Sequence, residues 1–171
     1  MSGDVHQQSL LFLRSSLKGY SSYENPSKRE KTDQILRQRL NDYLVEYLDK
    51  AREAQEAAIF TQMTVIWPDV ELLCSRLELL LNIVKKTDYE TSTFFSSNLE
   101  GFDQRVLIMA EAEIIKLLDD LRDMFGDFYD SIESGLLDVS SNLMAKILQS
   151  AERIKQLYTE RLTLIRDYKK F

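Results

Sequence analysis

The chain contains very few residues that interrupt helices. Of its 171 residues, five are glycine and two are proline. Inside a helix, glycine costs about 1 kcal/mol and proline about 3 kcal/mol relative to alanine, so a chain that is poor in both can form long helices. Between these breakers, apolar residues recur at alternating spacings of three and four, the period of an amphipathic helix. The sequence therefore predicts an all-α protein.

The chain also has only one cysteine, Cys74, and one histidine, His6. A single cysteine excludes an intramolecular disulfide and a thiolate-rich zinc site, and a single histidine excludes the paired Glu-x-x-His motifs of di-iron bundles. The glycines are scattered singly, so there is no glycine-rich phosphate loop. We therefore expect a protein that is not an enzyme and binds no metal or cofactor, with Cys74 as a buried structural thiol.

Long apolar runs and excess positive charge are absent as well. No apolar run approaches the roughly 20 residues that span a bilayer, so we expect no transmembrane segment. The N-terminus lacks the basic and apolar regions of a signal peptide, which favours a cytoplasmic location. The net charge is −6. An acidic chain of this kind lacks the cationic footprint of a nucleic-acid-binding protein.

Helix boundaries follow from the few breakers and from capping motifs. Helices are predicted at about 5–20, 28–66, 69–86, 99–133 and 138–170. Ser27 and Glu30 match a capping box directly after Pro26, Pro68 separates two helices, and Gly135 ends the fourth. Because short connections keep successive helices adjacent, we expect an antiparallel bundle of three to five helices. No linker divides the chain, so we expect a single domain over 1–171.

Apolar stripes predict the core of each helix. The predicted core residues of the last four helices are Leu36, Leu40, Tyr43, Tyr47, Ala51, Ala54, Ala58 and Val65; Val70, Leu73, Leu77, Leu80 or Leu81, and Val84; Leu107, Ile114, Leu118, Leu121, Phe125, Phe128 and Ile132; and Met144, Ile147, Ala151, Ile154, Tyr158, Ile165 and Tyr168. The segment 87–98 is ambiguous because capping boxes begin at both Thr87 and Ser97. Phe94 and Phe95 indicate that this segment is attached to the core.

An acidic run in the fourth helix is the strongest candidate site. It consists of Asp119, Asp120, Asp123, Asp127 and Asp130. The last four follow core positions by two residues, and two residues turn a helix by about 200°, so they should face away from the core. The run is interpreted as a solvated face, as a contact for a basic partner, or as a site for a hard divalent cation.

The neighbouring helix should leave this acidic run largely unneutralised. If the last two helices are antiparallel about Gly135, residues pair when their numbers sum to roughly 272. The acidic run then faces 142–153, which holds Lys146 and Arg153 but also Glu152. Gly126 lies within the run, where it could mark a close helix approach, a kink or a contact surface.

The leading functional hypothesis is a cytoplasmic helical bundle that scaffolds, adapts or regulates another protein, such as one with a basic surface. The acidic run is its candidate partner-binding site. Two alternatives remain open. The bundle could bind a small ligand or metal, or it could be a self-assembling structural protein in which a second stripe packs against another copy. That stripe is Leu143, Leu157, Leu164 and Phe171.

Overall fold

The computed structural model describes residues 2–89, 92–99 and 101–168. It contains five α-helices: α1 (Ser2–Ser16), α2 (Pro26–Phe60), α3 (Trp67–Lys85), α4 (Gln104–Glu133) and α5 (Leu137–Arg166). A short 3-10 helix, Thr64–Ile66, precedes α3. The helices pack around one hydrophobic core, which confirms the prediction of an all-α bundle with long helices.

The bundle consists of two antiparallel hairpins, α2–α3 and α4–α5, that lie side by side. Helix α2 packs on α3 and α4, helix α5 packs on α4 and α3, and α1 packs on α4. Tyr43 contacts Asp119, and Arg122 lies 3.6 Å from Glu46. Both pairs join residues 76 positions apart, so α2 and α4 run parallel. The two hairpin turns therefore lie at the same end of the bundle, which we call the turn end. The opposite end, crossed by the 86–103 connection, is the loop end.

Both hairpin turns begin with a Schellman motif at a helix C-terminus. After α2, the backbone N–H of Met63 donates to Ala58 O at 2.9 Å and that of Gln62 donates to Ile59 O at 3.1 Å. After α4, Leu136 and Gly135 donate in the same way to Ser131 and Ile132. Gly135 has a φ of 69° and Gln62 a φ of 59°, the left-handed conformation that this motif requires.

This turn corrects the predicted end of the second helix. The sequence predicts a helix to residue 66, but α2 ends at Phe60, because Gln62 adopts the conformation usually supplied by glycine. Val65 is consequently not a core residue: 72% of it is exposed. The predicted capping box at Ser27 is also wrong. The N-cap is Asn25, whose Oδ1 accepts from Ser27 N at 3.0 Å, so that Pro26 occupies the first helical turn.

The predicted core stripes otherwise match the buried residues of the helices. Apart from Val65 and the half-buried Tyr168, the core positions predicted for α2, α3, α4 and α5 are buried, and Leu80 rather than Leu81 is the buried leucine in α3. Helix α4 begins at Gln104 rather than 99, because Asp103 caps it by accepting from Arg105 N at 3.0 Å. Helix α5 ends at Arg166 rather than 170.

The connection between the hairpins is attached to the core by aromatic side chains. Phe94 is fully buried, as predicted, and its ring packs against Tyr23, Phe102 and Tyr168 at centroid distances of 5.5, 5.4 and 6.1 Å. The described residues between α3 and α4 form turns rather than a helix. The predicted capping partners Glu90 and Glu100 lie outside the described residues.

Candidate functional site

The acidic run of α4 divides into an exposed row and one inward residue. Asp120, Asp123, Asp127 and Asp130 are exposed, which confirms that they face away from the core; we call them the acidic row. Within the described part of the chain, none of the four forms an ion pair. Asp119 instead turns towards α2 and accepts a hydrogen bond from the Tyr43 hydroxyl.

The basic residues near the acidic row form no ion pair with it. Arg153 Nε lies 3.0 Å from Glu113, and Arg122 of α4 itself lies 3.6 Å from Glu46. Lys146 is exposed and forms no ion pair within the described part of the chain. The predicted register of α4 and α5 is confirmed, since Glu111 contacts Arg161 and Ser131 contacts Ser140. The carboxylates of the acidic row therefore remain available to a cation from outside the chain.

Gly126 does not mark a close helix approach. A Cβ atom built on Gly126 would have no other heavy atom within 4 Å, apart from its own local helix backbone. Helix α4 continues through this position from Gln104 to Glu133, and Gly126 is exposed between Asp123 and Asp127. The glycine thus leaves bare backbone on the surface of the acidic row.

The turn end carries a cluster of exposed apolar side chains that the sequence analysis missed. Half of the large exposed hydrophobic side chains in the described part of the chain lie there. They come from the end of α2, the 3-10 helix, the last turns of α4 and the start of α5. We call them the apolar tip: Ile59, Phe60, Val65, Tyr129, Leu136, Leu137 and Val139. Phe60 is 87% exposed.

The two segments that build the turn end contain no basic residue. Segments 53–75 and 123–145 hold nine aspartate or glutamate residues and no lysine or arginine. Because the whole chain has a net charge of −6, the remaining residues carry +3. The apolar tip is thus surrounded by negative charge, while positive charge is displaced towards the loop end. This distribution gives the turn end a negative electrostatic potential.

A network of buried charges lies at the loop end, and the sequence analysis also missed it. Arg161 of α5 is fully buried. Its Nε lies 2.7 Å from Glu111 Oε1 on α4, and one terminal nitrogen lies 2.6 Å from Asp33 Oδ1 on α2. The other terminal nitrogen donates to the Tyr89 hydroxyl at 2.9 Å. One guanidinium therefore joins three helices and the 86–103 connection.

Tyrosine hydroxyls complete the hydrogen bonding of this network. Tyr23 donates to Glu111 Oε1 at 2.6 Å, and Tyr20 donates to Glu111 Oε2. Tyr89 donates to Asp33, whose other oxygen accepts from Arg37 Nε at 2.9 Å. Both carboxylates are thus compensated by arginines and tyrosine donors, as buried charges require.

Burial and these partners shift the pKa values of the network. Burial raises the pKa of the Asp33 carboxyl, but Arg161, Tyr89 and Arg37 outweigh burial and hold it below its ordinary value. Burial, followed by repulsion from Glu111, raises the pKa of Tyr20 and Tyr23 well above the ordinary value. These shifts keep the carboxylate charged and the tyrosines protonated. Because the central charged groups are closed to solvent, we interpret the network as structural rather than catalytic.

The sequence does contain a signal for this network. The core stripe of α4 skips from Leu107 to Ile114, and that of α5 skips from Tyr158 to Ile165. Glu111 and Arg161 occupy the skipped positions, at helical spacing from their apolar neighbours. Charged residues at core positions of two paired helices are therefore the pattern that predicts a buried ion pair.

A second buried arginine, Arg29, joins the connections at the loop end, and within the described residues it pairs with no carboxylate. Arg29 donates to the backbone oxygens of Tyr23, Phe94 and Ser97 at 2.6, 2.8 and 2.5 Å. Burial lowers the pKa of Arg29. The side chain joins the α1–α2 connection to the α3–α4 connection, and it satisfies carbonyl groups that lack a helical partner.

The remaining candidate residues have local roles. Cys74 is half-buried and packs against the core, and burial raises the pKa of its thiol, which disfavours the reactive thiolate. The hydroxyls of Tyr47, Tyr158 and Tyr168 bond to Leu118 O, Thr87 Oγ1 and Asn98 O. Leu157 is buried within the chain, so it cannot belong to a stripe that packs on another copy. Phe171 lies outside the described residues.

The described residues form neither a metal-ligand cluster nor a membrane-spanning helix. Within 2–89, 92–99 and 101–168, no three histidine, cysteine or carboxylate side chains are placed so that they could hold a metal ion. None of the helices described by the structure combines the length and apolar character needed to cross a membrane.

Comparison with known proteins returned no relatives. No protein-family model, curated protein or solved structure matches the chain.

Proposed function

We propose that this protein is a non-enzymatic interaction module that binds a protein partner through its turn end. The observation that carries the proposal is the apolar tip, which is exposed within a part of the bundle that contains no basic residue. Exposed apolar side chains that are concentrated in one part of a soluble protein are a feature of interaction sites. The acidic row extends this surface along α4 away from the tip.

The chemistry of the surface defines the partner. Apolar side chains of the partner would cover Phe60, Val65 and Leu136, while lysine or arginine residues around them would meet the acidic row. An anionic membrane surface is disfavoured as the target, because the turn end is itself negative. We propose a scaffold, adaptor or regulator that acts in the cytoplasm.

The test separates the apolar and acidic contributions. One variant replaces Asp120, Asp123, Asp127 and Asp130 with asparagine, and a second combines Phe60→Ser with Val65→Ser. Each is used for affinity purification from the native cell, with quantitative mass spectrometry of bound proteins. We expect both variants to lose at least about tenfold in capture of the same protein, since a few central residues dominate most interfaces. Only the asparagine variant should also lose the salt dependence of capture.

A matched control neutralises four acidic residues elsewhere. Glu24, Glu30, Glu152 and Glu160 are exposed and lie outside the acidic row, so their replacement with glutamine changes the net charge equally. This control should retain capture. The proposal fails if every captured protein binds the asparagine variant, the serine variant and the control equally well.

A further inference from the structure

An open groove near the loop end has the opposite character from the turn end. It has a volume of about 890 Å³ and lies between the end of α1, the first half of α2 and the end of α3. Five cations line it, against one carboxylate, that of Asp42. They are Lys18, Lys31, Arg37, Arg39 and Lys85; we call this the basic groove. Leu17, Ile35 and Val84 form its aliphatic floor.

The two arginines of the basic groove are held in place by the bundle. Arg37 Nε bonds to the buried Asp33 at 2.9 Å. Arg39 stacks on the Tyr43 ring at 4.3 Å from its centroid and donates to its hydroxyl at 3.1 Å. The three lysines are exposed and form no ion pair within the described part of the chain. The groove therefore combines fixed positive charge with flexible ammonium groups.

The basic groove and the acidic row have the same helical spacing. On α2, the groove-lining residues Lys31, Gln34, Gln38 and Asn41 step 3-4-3 along the helix. The acidic row Asp120, Asp123, Asp127 and Asp130 steps 3-4-3 along α4. The first and last residues of each set are ten positions apart, about 15 Å along the helix. One row presents ammonium and amide donors, whereas the other presents carboxylates, which only accept.

We propose that the basic groove of one copy binds the acidic row of a second copy, so that the protein self-associates through α2 and α4. The inference rests on the proposed function in one respect, namely that the acidic row is a contact surface. It goes further by naming an occupant: the chain itself supplies an acidic row that matches the α2 row in length and spacing and is opposite in charge to the five cations that line the groove. The two surfaces are different, so the contact either closes a dimer reciprocally or extends a chain of copies.

Individually exposed ion pairs are weak and are screened by salt. We therefore expect reversible association that strengthens at low ionic strength. For the purified full chain, sedimentation velocity over a concentration series should show masses rising above the 20.0 kDa monomer at low salt. The dissociation constant should rise at least about tenfold at high salt, because several such pairs contribute together.

Charge reversal on each surface tests the contact directly. The first variant changes Lys18, Lys31 and Lys85 to glutamate, and the second changes Asp120, Asp123 and Asp127 to lysine. Each variant alone should remain a monomer, because its groove and row then carry the same sign. An equimolar mixture should associate again, because the groove of each variant is then opposite in charge to the row of the other.

Two further variants test whether self-association depends specifically on the basic groove and the acidic row. Reversal of Lys28, Arg105 and Arg166, which lie outside the groove and do not face the acidic row, should leave self-association unchanged. The combined Phe60→Ser and Val65→Ser variant should also self-associate. Circular dichroism and thermal unfolding establish that every variant is folded.

The proposal is overturned if the wild-type chain stays at its monomer mass at low salt, or if the mixed reversal variants stay monomeric. It is equally overturned if the serine variant alone abolishes association, because the apolar tip is then the contact. These measurements use purified protein only, so they do not depend on the capture of an external partner at the turn end. If self-association fails while capture succeeds, only the proposed contact between copies is wrong.

Discussion

The two ends of the bundle distribute polar and apolar groups in opposite ways. At the loop end, Arg161, Asp33 and Glu111 are buried, and aromatic rings cover the core. At the turn end, carboxylates are exposed to solvent, alanines form the buried side of α2, and large apolar side chains are exposed. Buried charge networks favour one specific packing arrangement in some proteins, whereas exposed apolar surface favours association. We interpret the buried network at the loop end as the part that defines the packing, and we propose the exposed apolar tip at the turn end as a contact surface.

The largest expected loss of stability comes from breaking the buried charge network at the loop end. Arg161→Met removes the shared cation and leaves Asp33 and Glu111 buried without it. Removing one partner of a buried ion pair costs about 3–5 kcal/mol, because the remaining charge is uncompensated. Urea unfolding followed by circular dichroism should show this loss as a lower unfolding midpoint.

The matched control is a surface ion pair on the same two helices. Arg153 pairs with Glu113 at 3.0 Å, with side chains 41% and 45% exposed. Arg153→Met should cost about 0–1 kcal/mol. Equal losses for Arg161→Met and Arg153→Met would contradict a stabilising role for the buried network.

A smaller loss of stability is expected when a larger side chain is placed on the buried side of α2 in its turn-end half. Ala54 is 1% exposed, within a row of buried alanines on a helix that packs against two others. Ala54→Leu adds three carbon atoms where a close approach is needed, at a cost of about 1–3 kcal/mol. The free energy of unfolding of this variant, compared with that of the wild type, measures this cost. Ala145→Leu, on an exposed position of α5, should stay within about 0.5 kcal/mol of the wild type.

The smallest expected effect is the loss of stability at acidic pH. The pKa of Asp33 is lower in the folded chain than its ordinary value, so its contribution to stability is present above that value and fades as the pH falls. The stability difference between the wild type and Asp33→Asn should therefore shrink between about pH 5 and about pH 3. Urea midpoints of both proteins over this range measure it. A constant difference would show that the Asp33 charge contributes no pH-dependent stability.

The core and the helix pairing could be predicted from the sequence because they follow from local periodicity. Leu118 and Phe128 lie on a stripe that only one face of α4 can bury, and Gly135 marks the turn that sets the register of α4 and α5. The outward direction of the acidic row follows from the same geometry. Apolar burial is large enough to determine these features without knowledge of the neighbours.

The end of α2, the apolar tip and the buried network were missed, because they depend on contacts between distant parts of the chain. Gln62 ends α2 in a conformation that usually indicates glycine, and this error extended the second helix through Val65. The apolar tip appears only when the turns after α2 and α4 are known to lie together. The network of Arg161 required residues from three helices to be brought to one point, although its skipped core positions were visible in the sequence.

The parallel arrangement of the two hairpins also determines how the molecule can be attached to anything else. Val5 lines one groove with Val106 at the start of α4, and the Tyr168 hydroxyl bonds to Asn98 O in the loop-end connection. Both ends of the described chain therefore lie away from the hairpin turns. A tag or domain joined at either end would hold the apolar tip outward, about 45 Å away along α4. Attachment by either end should leave that surface unobstructed.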